Sequence, residues 1–187
     1  MDYKRRLEQR YPFFDYKDFY DFVAAKNFNT HVEVGCWLGY STVYLAKRVS
    51  HLYAVDLWTL TSSRQAFDAD FIDLQLIIGD EIFKTFKENL KINQVKNVTP
   101  LRCMSDRAAE LFTSVDFVFI DADHSYNAVK KDIAAWLPKT KMLAGHDYNH
   151  LSVKRAVDEI GEPKTMGNVW YYEDCDSLRN EELKSDT

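Results

Sequence analysis

One pattern constrains the fold of this chain more than any other. From residue 31 onward, short and nearly continuous apolar runs alternate with stretches of helical spacing. HVEVG (31–35), LYAVD (52–56), NVTPLRC (97–103), VDFVFID (115–121), KMLAGHD (141–147) and NVWYYE (168–173) read as strands. Residues 41–49, 80–93, 106–112, 126–136 and 151–160 read as helices between them, and 13–27 as a helix before the first strand. Ser41 or Thr42 is expected near the N-cap of 41–49. Pro100 cannot donate to a ladder, so its strand belongs at a sheet edge. Strand-then-helix repetition with such apolar strands gives a parallel sheet covered on both faces. The expected class is α/β: a Rossmann-like, doubly wound, mostly parallel seven-stranded sheet in three layers.

The 187 residues suit one domain, and a hydrophobic fraction of 46% fills a core of that size. There is no Ser/Gly-rich linker and no internal repeat. The expected organisation is one domain over 1–172, opening with a helical segment at 1–29. An acidic tail over 173–187 carries a net charge of −4, leaving −1 for the body. Lys4, Arg5, Arg6 and Arg10 read as the solvated face of a first helix, so nucleic acid is not an expected partner. No run approaches the roughly 20 apolar residues of a membrane span. The charged start leads into no apolar signal region. Cys36, Cys103 and Cys175 make no disulfide framework and no CxxC. A cytoplasmic location is expected.

In doubly wound sheets ligands sit at the carboxyl ends of the strands. The first end reads Glu33-Val34-Gly35-Cys36-Trp37-Leu38-Gly39-Tyr40-Ser41. Gly35 permits a sharp exit from the strand, and Gly39 permits close approach. The dinucleotide G-x-G-x-x-G pattern fails, because positions 37 and 40 are Trp37 and Tyr40. No phosphate-binding G-x-x-x-x-G-K-[ST] occurs. The second end carries Asp56, 23 residues after Glu33, a spacing that suits ribose hydroxyls. Ser105 and Asp106 follow the third strand, either as caps or at an adenine edge. Asp121, Asp123 and His124 follow the fourth, and Gly145, His146 and Asp147 the fifth. Unpaired charge there is costly to bury, so these groups point to a site.

The motifs V-E-V-G-C-W-L-G-Y-S, Y-A-V-D, C-M-S-D and F-V-F-I-D-A-D-H-S-Y make the chain resemble class I S-adenosylmethionine-dependent methyltransferases. It resembles most the catechol and caffeoyl-CoA O-methyltransferase-like group with a D-x-D-H-x-Y motif, over about 30–173. The resemblance implies S-adenosylmethionine as cofactor and a hydroxyl of a small molecule as methyl acceptor. Gly35, Gly39, Tyr40 and Ser41 would border its methionine part, with Glu33 and Asp121 at the amino-acid end. Asp56 would hold the ribose, Leu57 the adenine face, and Ser105 and Asp106 the adenine edge. His124 falls where relatives place a general base, and an unperturbed imidazole suits that work. Its alternative is a helix cap.

Metal-using relatives supply an Asp after the fourth strand and an Asp-Asn or Asp-Asp pair after the fifth. Here the pair is His146-Asp147. Mg²⁺ prefers oxygen, and imidazole suits softer ions. A divalent metal on Asp121, His146 and Asp147 and a second base at His146 both stay open, with no tightly bound metal the leading expectation. Residues 57–79 exceed a simple βα loop and are expected to cover substrate. Three rival readings remain. One is a nucleic-acid or protein methyltransferase, for which no [DNS]-P-P-[YFW] motif occurs. Another is a non-catalytic cofactor-binding homologue, and the third is a nicotinamide dehydrogenase. A homo-oligomer is compatible with the sequence.

Overall fold

The central strand is VDFVFI, β4 (Val115–Ile120), every residue of which is buried. Branched and aromatic side chains pack well on a pleated surface, and each large one fully buried contributes roughly 1.5–3 kcal/mol. In the computed structural model, which describes residues 15–59 and 81–178, β4 lies between β1 (His31–Val34) and β5 (Thr140–Gly145). β2 (Leu52–Val55) and β3 (Val98–Leu101) follow beyond β1. All five pair in parallel. β7 (Val169–Tyr172) and β6 (Lys164–Met166) complete the seven-stranded sheet with antiparallel pairings, in the order β3-β2-β1-β4-β5-β7-β6.

Pro100 lies on the edge strand, opposite Ala54, as its missing donor requires. β6 differs from expectation. It holds three residues, two of them exposed, and pairs with β7 alone, so it leaves little trace in hydropathy.

Six described helices cover the sheet. α1 (Lys17–Ala24), α2 (Tyr40–Ala46) and α3 (Glu81–Ile92) pack successively along one side. α4 (Ser105–Ala109), α5 (Tyr126–Trp136) and α6 (Leu151–Asp158) pack along the other. Strand alternation divides the core between them. Val118 and Ile120 join Val129, Ile133, Trp136 and Val157. Phe117 and Phe119 join Phe19, Tyr20, Val23 and Leu45.

This is the Rossmann-like three-layer α/β architecture expected. The domain runs past the boundary expected at 172. Cys175 is fully buried, Leu178 packs on the core, and Glu173 is paired with Lys26 and Lys164. The basic run at 4–10 and nearly all of the 57–79 segment lie outside the described residues. No described helix is long and apolar enough to cross a membrane.

Candidate active site

The switch between β1 and β4 determines where a ligand fits. The chain leaves β1 at Gly35 with φ +88°, and a Cβ there would stand 1.9 Å from the backbone oxygen of Asp121. Only glycine permits that approach of two strand ends. Two pockets meet at this residue. One, of about 220 Å³, extends toward β2 and α5, past Asp56, Leu57, Ser105 and Asp132. The other, of about 350 Å³, extends toward α1 and α2, past Tyr16, Gly39, Ser41, Asp121 and His146.

Asp56 is anchored before any ligand arrives. One carboxylate oxygen accepts the Trp37 amide at 2.9 Å, and the other accepts the Trp58 amide at 2.7 Å. Trp37 and Trp58 both occupy left-handed backbone, with φ 47° and 48°. The indole of Trp58 donates to the Trp37 carbonyl at 2.9 Å. The acid thus ties the loop after β1 to the loop after β2, with lone pairs left over on both oxygens.

Leu57 and Ser105 also line this pocket, where they were expected. The Ser105 hydroxyl accepts the Trp136 indole at 2.9 Å and bonds to Asp132. Asp106, in contrast, is absent from the pocket wall. It forms a surface ion pair with Lys131 at 3.0 Å. The first turn of α4 rotates it outward while Ser105 faces in.

Asp132 takes a place that sequence reasoning did not assign. It is buried, and burial pushes its carboxyl up to about 6. The signal was present in YNAVKKDIAAW. Val129, Asp132, Ile133 and Trp136 share the apolar stripe of α5, so an acid stands at a core position.

Glu33 also departs from expectation, since it lines neither pocket. In register with Phe119, it points into the α1 layer, where it accepts the Tyr20 hydroxyl at 2.8 Å and the Thr42 hydroxyl. Burial raises its carboxyl. Neither Ser41 nor Thr42 caps α2. The N-cap is Gly39, with φ 83°. Gly39, Tyr40 and Ser41 do line the second pocket.

The second pocket brings a tyrosine, a histidine and carboxylates together. Tyr16, another residue the sequence reading passed over, donates to Asp121 Oδ2 at 3.0 Å. His146 Nε2 lies 2.7 Å from Asp15, and its Nδ1 lies 3.3 Å from Asp147. Burial opposes the charge of the His146 ring, but Asp147, Asp121 and Asp15 outweigh it and raise the pKa. Asp147 sits in left-handed backbone at φ 56°. Burial acts to raise its carboxyl, yet the His124 and His146 rings hold it well below the usual range.

His124 differs from the unperturbed base expected. Its Nε2 lies 2.9 Å from Asp147 and 3.6 Å from Asp121, and these two acids push it up to about 10. In this arrangement it carries a proton at neutral pH.

The ligand set expected for a metal changes as well. Among the described residues, Asp121, His124 and Asp147 bring one donor atom each within 4.8 Å of one another. His124 thus replaces His146 in the compact group. Two oxygens and one imidazole suit a borderline divalent ion such as Mn²⁺ or Zn²⁺ better than Mg²⁺.

Comparisons agree with this architecture. The chain is similar to a candidate O-methyltransferase from Klebsiella pneumoniae, with 18% identity and a TM-score of 0.52, covering 87% of this chain and 64% of that one. An rRNA methylase from Streptococcus thermophilus shares 15% identity at a TM-score of 0.58, over 84% of this chain and 94% of the other. A candidate methyltransferase from Streptococcus mutans, solved in complex with SAH, shares 14% at 0.56, over 83% and 93%. At such identities the likeness is one of fold. No curated protein sequence matches the chain. A family model described as "Methyltransferase domain" matches residues 32–148, from the second residue of β1 to the turn after β5. That match covers more than half of the chain and every strand end that lines the two pockets, and the chain belongs to the methyltransferase-domain family.

Proposed function

We propose that the protein is an S-adenosylmethionine-dependent enzyme that methylates a hydroxyl of a small-molecule acceptor. The observation that carries this reading is the meeting of two pockets at Gly35. A nucleoside joined to an amino acid needs two compartments around one narrow backbone passage. The pocket of Asp56 suits ribose hydroxyls, which its spare lone pairs accept. Leu57, Ser105 and Asp132 surround the remaining volume, where an adenine fits. The pocket of Gly39, Ser41 and Asp121 suits the amino-acid half. The neighbour solved with SAH supports the same choice of cofactor. S-adenosylmethionine supplies an electrophilic methyl group on a cationic sulfur.

The acceptor side belongs to His146. Its ring stands on the wall of the second pocket, 15% exposed, among Asp15, Asp121 and Asp147. We assign it the proton leaving the acceptor hydroxyl. His124, held as a cation between Asp121 and Asp147, keeps those two carboxylates together. A divalent ion would have to displace the His124 proton before it could be held by Asp121, His124 and Asp147, where it would polarise a hydroxyl oxygen. No Lys or Arg stands among the described residues lining this pocket, and three acids surround His146. That charge favours neutral or cationic acceptors and disfavours the phosphates of nucleic acid.

Calorimetric titration with S-adenosylhomocysteine tests the reading. We expect binding to the wild type, and affinity at least tenfold weaker for folded Asp56→Ala. No binding at millimolar ligand, or equal affinity in the two proteins, would contradict it.

A further inference from the structure

Tyr16 and Tyr20 stand one helical turn apart where α1 begins, and their hydroxyls reach one acid on β1 and one just after β4. Tyr20 donates to Glu33 at 2.8 Å, inside the layer between α1 and the sheet. Tyr16 donates to Asp121 Oδ2 at 3.0 Å, and it opens onto the second pocket. The Tyr16 ring lies 4.8 Å from the His146 ring, at 55°. The other Asp121 oxygen faces two imidazoles at longer range, His124 at 3.6 Å and His146 at 3.9 Å. Among these contacts the phenol is the short, directional one, so it fixes the rotation of the carboxylate.

We infer that Tyr16 is a positioning residue for methyl transfer, aiming the Asp121 carboxylate and bracing the His146 ring where the reacting groups meet. This inference rests on the methyltransferase reading above. Tyr16 lies outside residues 32–148, which the family model covers. It is brought to the site by a helix that precedes the first strand. A carboxylate held in place before the ligand arrives stabilises nearby positive charge without reorganising at the moment of reaction. Tyr20 provides the internal control. It has the same ring, the same helix and a similar bond, but its acid lies away from the pocket.

The test compares two probes by calorimetry. S-adenosylhomocysteine is neutral at sulfur. Sinefungin carries an amine in place of the sulfonium methyl, so its extra affinity reads the electrostatics at the transfer point. Wild type is expected to bind sinefungin at least tenfold tighter. Tyr16→Phe retains the ring and should lower that preference about five- to tenfold, with S-adenosylhomocysteine affinity within twofold. Tyr20→Phe should leave the preference within twofold. Asp121→Asn alone should lower the preference at least as much, which keeps the inference testable if Tyr16→Phe folds poorly, and in that background Tyr16→Phe should add nothing. An unchanged preference in folded Tyr16→Phe overturns the inference, as does an equal change in Tyr20→Phe or full additivity with Asp121→Asn. Absence of binding of either probe to wild type overturns the methyltransferase reading itself, and this inference with it.

Discussion

Asp132 stands in surroundings that its residue type resists. An acid on the apolar stripe of α5 is stabilised in its protonated form, and its folded value of about 6 exceeds the 3.8 of an ordinary aspartate. The sign follows directly. A raised carboxyl contributes stability at low pH, and that contribution is lost as pH rises from about 4 through 6. Asp132→Asn should therefore be more stable than wild type at pH 8 by about 1–3 kcal/mol. The gain should shrink at pH 5, as read from urea denaturation at both values. Equal gains at both pH values would contradict the assignment. Gly35→Ala makes a second residue-scale prediction. With a Cβ 1.9 Å from the Asp121 carbonyl and a positive φ, the variant should lose several kcal/mol or fail to fold, as thermal melting would show.

Much of the pocket lining is legible at this scale, because pockets of a doubly wound sheet open at the carboxyl ends of its strands. Asp56, Leu57, Ser105, Asp121 and His146 all line the pockets. Glu33 was not legible as a core residue. Its role depends on strand alternation and on a tyrosine 13 positions away that one sequence does not pair with it. His124 departs from an unperturbed imidazole because its pKa is set by Asp121 and by Asp147, which follows a different strand.

At the scale of elements, long signals survived and short ones did not. β4 was readable from its continuous apolar run, and α5 from four residues on one stripe. β6 was not, because three residues with two exposed carry no period. The antiparallel turn of β7 was equally silent, since pairing direction depends on the crossover and not on the strand. α2 begins at Gly39 because backbone geometry determines the turn, while Thr42 is drawn away by Glu33. α1 carries the most consequence. Phe19 is 1% exposed and packs against Phe117, Phe119 and Tyr171. Phe19→Ala should cost about 3–5 kcal/mol by urea denaturation. A loss below about 1 kcal/mol would mean that α1 is not part of the folded core.

At the scale of the molecule, charge and burial diverge. The chain carries −5 overall, and much of that was ascribed to a tail after 172. Part of that segment is structural. Cys175 and Leu178 enter the core, and Glu173 joins Lys26 to Lys164. A chain ending at Tyr172 should therefore lose about 2–5 kcal/mol in denaturant, and a loss below about 1 kcal/mol would contradict that structural role. Within the body, Asp15, Asp121 and Asp147 gather around the His146 ring at the second pocket.

On the proposed function, one ligand spans both pockets, passing Gly35. A crystal structure with S-adenosylhomocysteine tests this most directly. Ribose hydroxyls are expected on Asp56, adenine beside Ser105 and Asp132, and the homocysteine chain beside Gly39 and Ser41 with sulfur facing His146. A nucleoside seated elsewhere, or seated in the Tyr16 pocket with its amino acid beside Asp56, would contradict it.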